Sequence, residues 1–316
     1  MAFLDSNFSK WFIFISAFIA IVIPIRDFTE LGKANYELIT RWTITALLFL
    51  LFFGTIIREY LTSRKEKYAN INHHKHRCIH LTRDLTTYLQ ENISIADPET
   101  LKKMVGMALQ QILNELSELY SLLTGTKCRA TLKTVYSHNG KLYVYALARD
   151  GKSADTNIKR DKARQSGNMD PIEENVDFSY LYDDFGPNSR CFFCNDLTSK
   201  RNYRSSSFKV YGDPTENVSI IDRWSKFMQR EKDWPLPYRS TIVWPIQQRE
   251  SRLLPLRANV GCIGFLAIDS ESRNVFRENW DFPIGAAVSD SLFHPLKFYA
   301  SLNKNGQGGA QNVEKK

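Results

Sequence analysis

The spacing of apolar and polar positions changes several times along this chain, and each change marks an element. Two uninterrupted apolar segments come first, Trp11 to Ile25 and Trp42 to Ile57, each bracketed by Lys or Arg. Within the second, Ala46-Leu47-Leu48-Phe49-Leu50-Leu51-Phe52-Phe53 leaves no polar face of the kind a soluble helix keeps. Both fall short of the roughly 20 residues that cross a bilayer core. Lys10, Arg26, Arg41 and Arg58 can close that gap by reaching towards headgroups. A signal-peptide core is the alternative for the first, although Ile23-Pro24-Ile25-Arg26 offers no small-residue cleavage site. A buried core helix is the alternative for the second. The pattern predicts a two-helix transmembrane hairpin over residues 1–60.

Beyond Arg58 the chain turns polar but stays helical to about Asn92. Ile71, Cys78 and Leu85 recur every seven residues, with His74, Leu81 and Tyr88 at the second heptad position. Two readings stay open for this stalk, residues 61–96. It pairs two copies of the chain as a short coiled coil, or it is a connector packed on its own body.

A break at Asn92 to Ala96 is followed by Asp97-Pro98-Glu99, which suits an N-cap, an N1 proline and an acidic first turn. Leu101, Val105, Ala108, Ile112, Leu119 and Leu123 then form one apolar stripe, ending at Gly125. Strands are predicted near Arg129–Ser137 and Lys141–Arg149, joined by His138-Asn139-Gly140 with its Asn-Gly turn signal. Asp150 to Glu174 is charged and reads as a surface insertion. Phe178 to Tyr182 reads as a short helix, Cys191 to Asp196 as a strand or loop, and Val218 to Trp234 as a helix. Ser240 to Ile246 is a strand in which Pro245 marks an edge or bulge, and Val260 to Asp269 is a central strand covered on both faces. A closing helix begins near Asn279, and residues 303–316 form a polar tail expected to be disordered.

Charge adds an orientation. The net +8 lies wholly beyond Leu61, because five basic and five acidic residues balance before it. Arg58, Arg64, Lys65, Lys67, Lys75 and Arg77 crowd the exit of the second apolar segment, against Arg26, Lys33 and Arg41 in the loop. The positive-inside rule therefore puts the N-terminus and the C-terminal body on the cytoplasmic side of an inner, cytoplasmic membrane. A basic body there suits anionic headgroups or an anionic ligand. A nucleic-acid partner is not expected.

Five scattered cysteines form no secreted disulfide framework and fit reduced thiols. His73, His74, His76, Cys78 and His80 crowd the stalk without completing a fixed tetrahedral metal set. Walker A, dinucleotide, HExxH and nucleophile-elbow motifs are absent from the sequence. Gly261 and Gly264 belong to a strand and not to a phosphate cradle. No cofactor is expected.

The order Ser240, Pro245, Ile246, then Ile263-Gly264-Phe265-Leu266, then Phe276 with Trp280 and Asp281 before a helix, resembles the C-terminal half of a GAF domain. The resemblance implies an α+β cytoplasmic domain over residues 97–302, an antiparallel sheet flanked by helices. It places a pocket on one sheet face, roofed by Phe178 to Trp234, with the Asp97–Leu123 helix on the other face. It implies that no output domain follows the closing helix. Arg planes beside aromatic faces bind anionic or nucleotide-like ligands. The candidate ligand residues are therefore Arg201, Tyr203, Arg204, Tyr211, Trp224, Trp234 and Arg239. A basic rim facing headgroups is the alternative for these arginines. The cyclic-nucleotide GAF signature is not met, since Val275 stands where it has Lys.

Three functions follow from these readings. The first is a membrane-anchored sensor that binds a small molecule or partner. The second resembles bacterial antiviral effectors, in which a nucleotide signal assembles sensors whose spans breach the membrane. The third is thiol redox or metal chemistry at Cys191 and Cys194. Free methionine sulfoxide reductases, a GAF-like enzyme family, use pocket cysteines of this kind. Their reactive Cys precedes the Ser–Pro strand, where this chain has Trp234-Pro235-Leu236-Pro237-Tyr238.

Overall fold

The structure, a computed structural model, describes residues 35–92, 97–153, 170–183, 191–200, 203–211, 234–247 and 261–301. The apolar segment Trp11–Ile25, most of the helix expected from Val218 and the tail from residue 303 lie outside them. Two compact units divide the chain, Met1–Ala69 and Asn70–Lys316.

In the first unit, helix α1 (Asn35–Asn92) begins. It is the one helix among the described residues long and apolar enough to cross a membrane. Trp42, Leu47, Leu50, Leu51 and Ile57 are all exposed along it. Thr45, Thr55 and Thr62 donate their hydroxyls to the carbonyls of Arg41, Phe52 and Arg58 at 2.7–2.9 Å. Those back-bonds satisfy the hydroxyl donors within the helix itself.

In the second unit, residues 70–92 of α1 pack against α2 (Pro98–Thr124). Ile71, Cys78, Leu85 and Leu89 are buried, so the heptad stripe is covered within the chain itself. Glu115 of α2 fastens the contact, accepting from His74 Nδ1 at 2.7 Å and pairing with Arg77 Nη2 at 3.1 Å. The ends of α2 follow the sequence signals. Asp97 accepts from the Thr100 N–H at 3.0 Å, and Gly125 takes φ 72°, its N–H bonded to Ser121 O.

Six strands follow: β1 (Cys128–His138), β2 (Lys141–Arg149), β3 (Asp170–Pro171), β4 (Phe192–Cys194), β5 (Ser240–Ile246) and β6 (Gly264–Ser270). They form one sheet in the order β3-β2-β1-β6-β5-β4, and every neighbouring pair is antiparallel. Asn139 and Gly140 both have positive φ, 50° and 74°, the geometry of a type I′ hairpin turn between β1 and β2. The apolar run of β6 lies between β1 and β5, as its composition requires. Pro245 pairs only with Phe265 among the described residues, since β4 pairs β5 over Thr241–Val243 and stops. An edge at that point tolerates the missing N–H. The charged segment from Asp150 contributes β3 to the sheet edge and buries Asp150 itself.

Each face of the sheet is covered by a different layer. Ala130, Leu132, Ile242, Trp244, Leu266 and Ile268 pack with α1, α2 and α5 (Glu278–Ser291). Val144, Val243, Phe265 and Ala267 pack instead with α3 (Val176–Asp183), α4 (Phe208–Tyr211) and the loops beside them. Alternation along the strands makes this division, odd-numbered residues of β1, β5 and β6 facing the second layer. Asn175 ties that roof layer together, accepting from Ser206 N at 3.0 Å while its amide donates to Pro171 O at 2.7 Å.

Candidate functional site

β1 is a central strand with both faces covered, yet Arg129, Thr131 and Lys133 occupy its roof-facing positions. Neighbouring strands continue the polar character in register. Asp269 stands opposite both Arg129 and Thr241, and Arg149 stands opposite Thr131. A β-bulge at Leu132/Lys133 interrupts the ladder beside them, a common place to re-aim a side chain.

Arg129, Thr131, Lys133, Arg149 and Asp269 floor a cavity of about 30 Å³. Asp177 and Phe178 of α3, Tyr211 of α4, Ser153 and the turn Pro237-Tyr238 complete its wall. Such a volume holds about two waters. It admits a small polar ligand as it stands, and a nucleotide only if the roof moves.

The electrostatics set one buried carboxyl, Asp177, among half-buried charged groups. Burial pushes the Asp177 carboxyl up to about 6; Lys133 opposes the shift and Asp269 adds to it. Asp177 Oδ1 accepts from the Phe178 N–H at 3.1 Å, and Lys133 Nζ lies 4.0 Å from the Phe178 ring centre. Thr241 donates its hydroxyl to Asp269 Oδ1 at 2.6 Å. Arg129 Nη2 reaches out to Glu271 Oε1 at 2.6 Å. Burial also pushes the Tyr203 hydroxyl well above its ordinary range, with Asp177 adding to the effect.

Of the residues picked from the sequence, Tyr211 lines this cavity. Tyr203 and Trp234 are buried in the roof, where their rings contact Phe208 at 6.2 and 5.7 Å and each other at 6.4 Å. Trp234 Nε1 donates to Tyr238 O at 2.7 Å. Arg204 is exposed, and its carbonyl accepts from the Val176 N–H. Arg239 leads into β5, its backbone bonded to Ser270 O and Leu197 N. Arg201 and Trp224 lie outside the described residues.

Cys191 packs against the helix-side core, while Cys194, on β4, packs against the roof-side core. Three positions apart on an extended chain, the two thiols face opposite sides of the sheet. Burial, with Glu278 adding, pushes the Cys191 thiol up to about 12, and burial also raises that of Cys194. Among the described residues no group of three or more His, Cys, Asp or Glu is arranged to hold a metal ion.

Two of the motif residues that the GAF resemblance singled out, Ser240 and Asp281, have structural tasks. Ser240 Oγ lies 2.7 Å from the carbonyl oxygens of both Asn195 and Ser272, tying the start of β5 to the segments after β4 and β6. Asp281 Oδ2 accepts from the Arg277 N–H at 2.6 Å and so closes the first turn of α5. The Asp281 carbonyl accepts from the Tyr120 hydroxyl at 2.6 Å, joining α5 to α2.

No protein-family model matches the chain, and no curated protein matches it. Solved structures similar to it include a type II free methionine-R-sulfoxide reductase from Thermoplasma acidophilum. That match has 14% identity and a TM-score of 0.36, over 63% of this chain and 96% of that one. The GAF domain from Acinetobacter phosphoenolpyruvate-protein phosphotransferase is 9% identical with a TM-score of 0.35, over 70% of this chain and 93% of that one. A free methionine-R-sulfoxide reductase from Neisseria meningitidis, in complex with its substrate, is 14% identical with a TM-score of 0.30. It spans 65% of this chain and 94% of that one.

Proposed function

We propose that this chain is a membrane-attached sensor of the GAF type, with a small ligand received between the sheet and its roof. The observation that carries the reading is the floor of that cavity. Three basic and two acidic side chains line a space on a covered sheet face, where packing alone would select apolar residues. Ionisable groups gathered in a concavity, one of them with a displaced pKa, are the physical profile of a candidate binding site. The Ser240 to Ile246 and Ile263 to Leu266 wording forms the adjacent strands β5 and β6, followed by α5, the order on which the GAF resemblance rests.

Membrane attachment is assigned to the apolar part of α1, and the basic run from Arg58 to Arg77 favours a cytoplasmic exit by the positive-inside rule. Purification of the full chain in mild detergent, then mass spectrometry of small molecules released on denaturation, tests the sensor. A stoichiometric bound molecule is expected, and its persistence in a variant with Lys133 and Arg149 replaced by Met would place the ligand elsewhere. Protease treatment of inverted membrane vesicles tests the attachment. Digestion of the C-terminal body is expected, and its full protection would reverse the orientation.

A further inference from the structure

We propose that the ligand of this cavity is a compact oxyanion, of the carboxylate, phosphate or sulfonate class, and that it binds together with a proton taken up at Asp177. The inference rests on the sensor reading and adds the chemistry of what is sensed.

The groups facing Asp177 come from every element around the cavity. Lys133 of β1 and Asp269 of β6 act on it electrostatically; Arg129 of β1, Arg149 of β2, Tyr211 of α4 and Tyr238 share the cavity lining with it, and Tyr203 interacts with it from an adjoining loop. Basic groups on the lining outnumber acids by three to two. The two acids are not equivalent. Asp269 belongs to the floor, where Thr241 donates to it and Arg129 stands opposite in the ladder. Asp177 comes from the roof helix α3 and is buried against the basic floor.

An anion entering this space meets Lys133 and Arg149 favourably and an ionised Asp177 unfavourably. A protonated Asp177 removes that repulsion and presents an O–H donor, and its proton comes from bulk water. Its carboxyl already sits near 6, so little free energy separates the two states close to neutral pH. A cation would meet the reverse situation, repelled by Lys133 and Arg149 and drawn only to an ionised Asp177, so it would release a proton there rather than take one up.

Formate, formamide and methylammonium serve as probes. All are small enough for a cavity of about 30 Å³, and the charges of all three are constant between pH 5.5 and 7.5. Binding to the full chain in detergent is followed by thermal shift and by NMR, at constant ionic strength. Formate is expected to bind about fivefold more tightly at pH 5.5 than at pH 7.5, the size expected when one like charge is removed from a partly buried site. Asp177→Asn should bind formate at pH 7.5 as tightly as the parent does at pH 5.5, with a flat profile. Lys133→Met and Arg149→Gln should each weaken formate binding about tenfold. Equal responses to formamide or methylammonium, or a flat profile in the parent chain, would overturn the inference whether or not Asp177→Asn folds. A neutral or cationic molecule co-purifying in the cavity would sink the oxyanion assignment and leave the sensor standing. No co-purifying molecule together with no formate response would remove both.

Discussion

A β-carbon placed on Gly285 of α5 would fall inside the indole ring of Trp244 in β5. Helix and sheet meet there as closely as backbone permits, and Tyr120 and Phe282 complete the contact with rings 6.1 and 6.5 Å from the indole. Trp244 is fully buried, so the ring has nowhere to retreat. Gly285→Ala should therefore cost about 1–3 kcal/mol, the usual penalty for overpacking a core. Gly106→Ala, in α2 with open space around the missing side chain, should instead stabilise by about 0.5–1 kcal/mol through helix propensity. Thermal unfolding of the two variants in parallel checks the contrast; equal shifts would contradict the close approach.

Glu115 of α2 pairs with two residues of the 70–92 segment, His74 and Arg77. With its side chain only 12% exposed, it accepts from two cationic-capable groups at once. Glu115→Gln should cost about 1–2 kcal/mol, because a buried, charge-assisted pair is replaced by neutral bonds. Hydrogen exchange localises the effect: amides of residues 70–92 should open faster while those of β6 do not. Unchanged exchange in that segment would mean that the apolar stripe alone holds it.

Asp177 should also leave a signature in stability against pH. Its folded-state pKa, about 6, lies above the ordinary carboxylate value of 3.8, so the folded chain holds the proton more tightly than the unfolded one. Its contribution is fully present below about pH 4 and is lost as pH rises through about 6. The parent chain should lose up to about 3 kcal/mol across that window from this group. Asp177→Asn should lack that component and be the more stable form at pH 7.5. Denaturant unfolding at pH 4.5, 6 and 7.5 measures the difference between the two, and parallel curves would disprove the shift.

Cys191 and Cys194 are expected to be slow thiols. Both titrate above the ordinary range because of burial, and they lie on opposite sides of β4. Iodoacetamide at pH 7.5 should label them at least about tenfold more slowly in the folded chain than after denaturation. Mild oxidant should form no disulfide between them, since their side chains diverge. A Cys191–Cys194 crosslink in the folded protein, seen by peptide mass, would refute the opposed-face arrangement.

What could be read from the chain alone was what is decided locally. Asp97, Gly125 and the Asn139-Gly140 turn act through their own backbone, so each signal had one meaning. The heptad of Ile71, Cys78 and Leu85 shows only that a stripe must be covered, and a partner helix inside the chain satisfies it as well as one outside. The floor of the cavity was harder to read for a related reason. Tyr203 and Trp234 sit in an Arg- and Tyr-rich stretch that looks like a binding segment, yet their bulk goes into packing the roof. Arg129, Thr131 and Lys133 show in the sequence only as alternate positions of a strand. Their meaning appears only when β1 proves to be central, because an exposed face explains such alternation and a covered one does not.

The odd and even residues of β1 consequently answer to different demands. Ala130 and Leu132 are fully buried against the helices, so a change of volume there is felt throughout the core. Arg129, Thr131 and Lys133 border a space with room to spare. Exchanging one polar side chain for another on that side alters what the cavity attracts while the helix-side packing stays as it was. One strand thus lets selection revise recognition in single steps without first having to repair the scaffold.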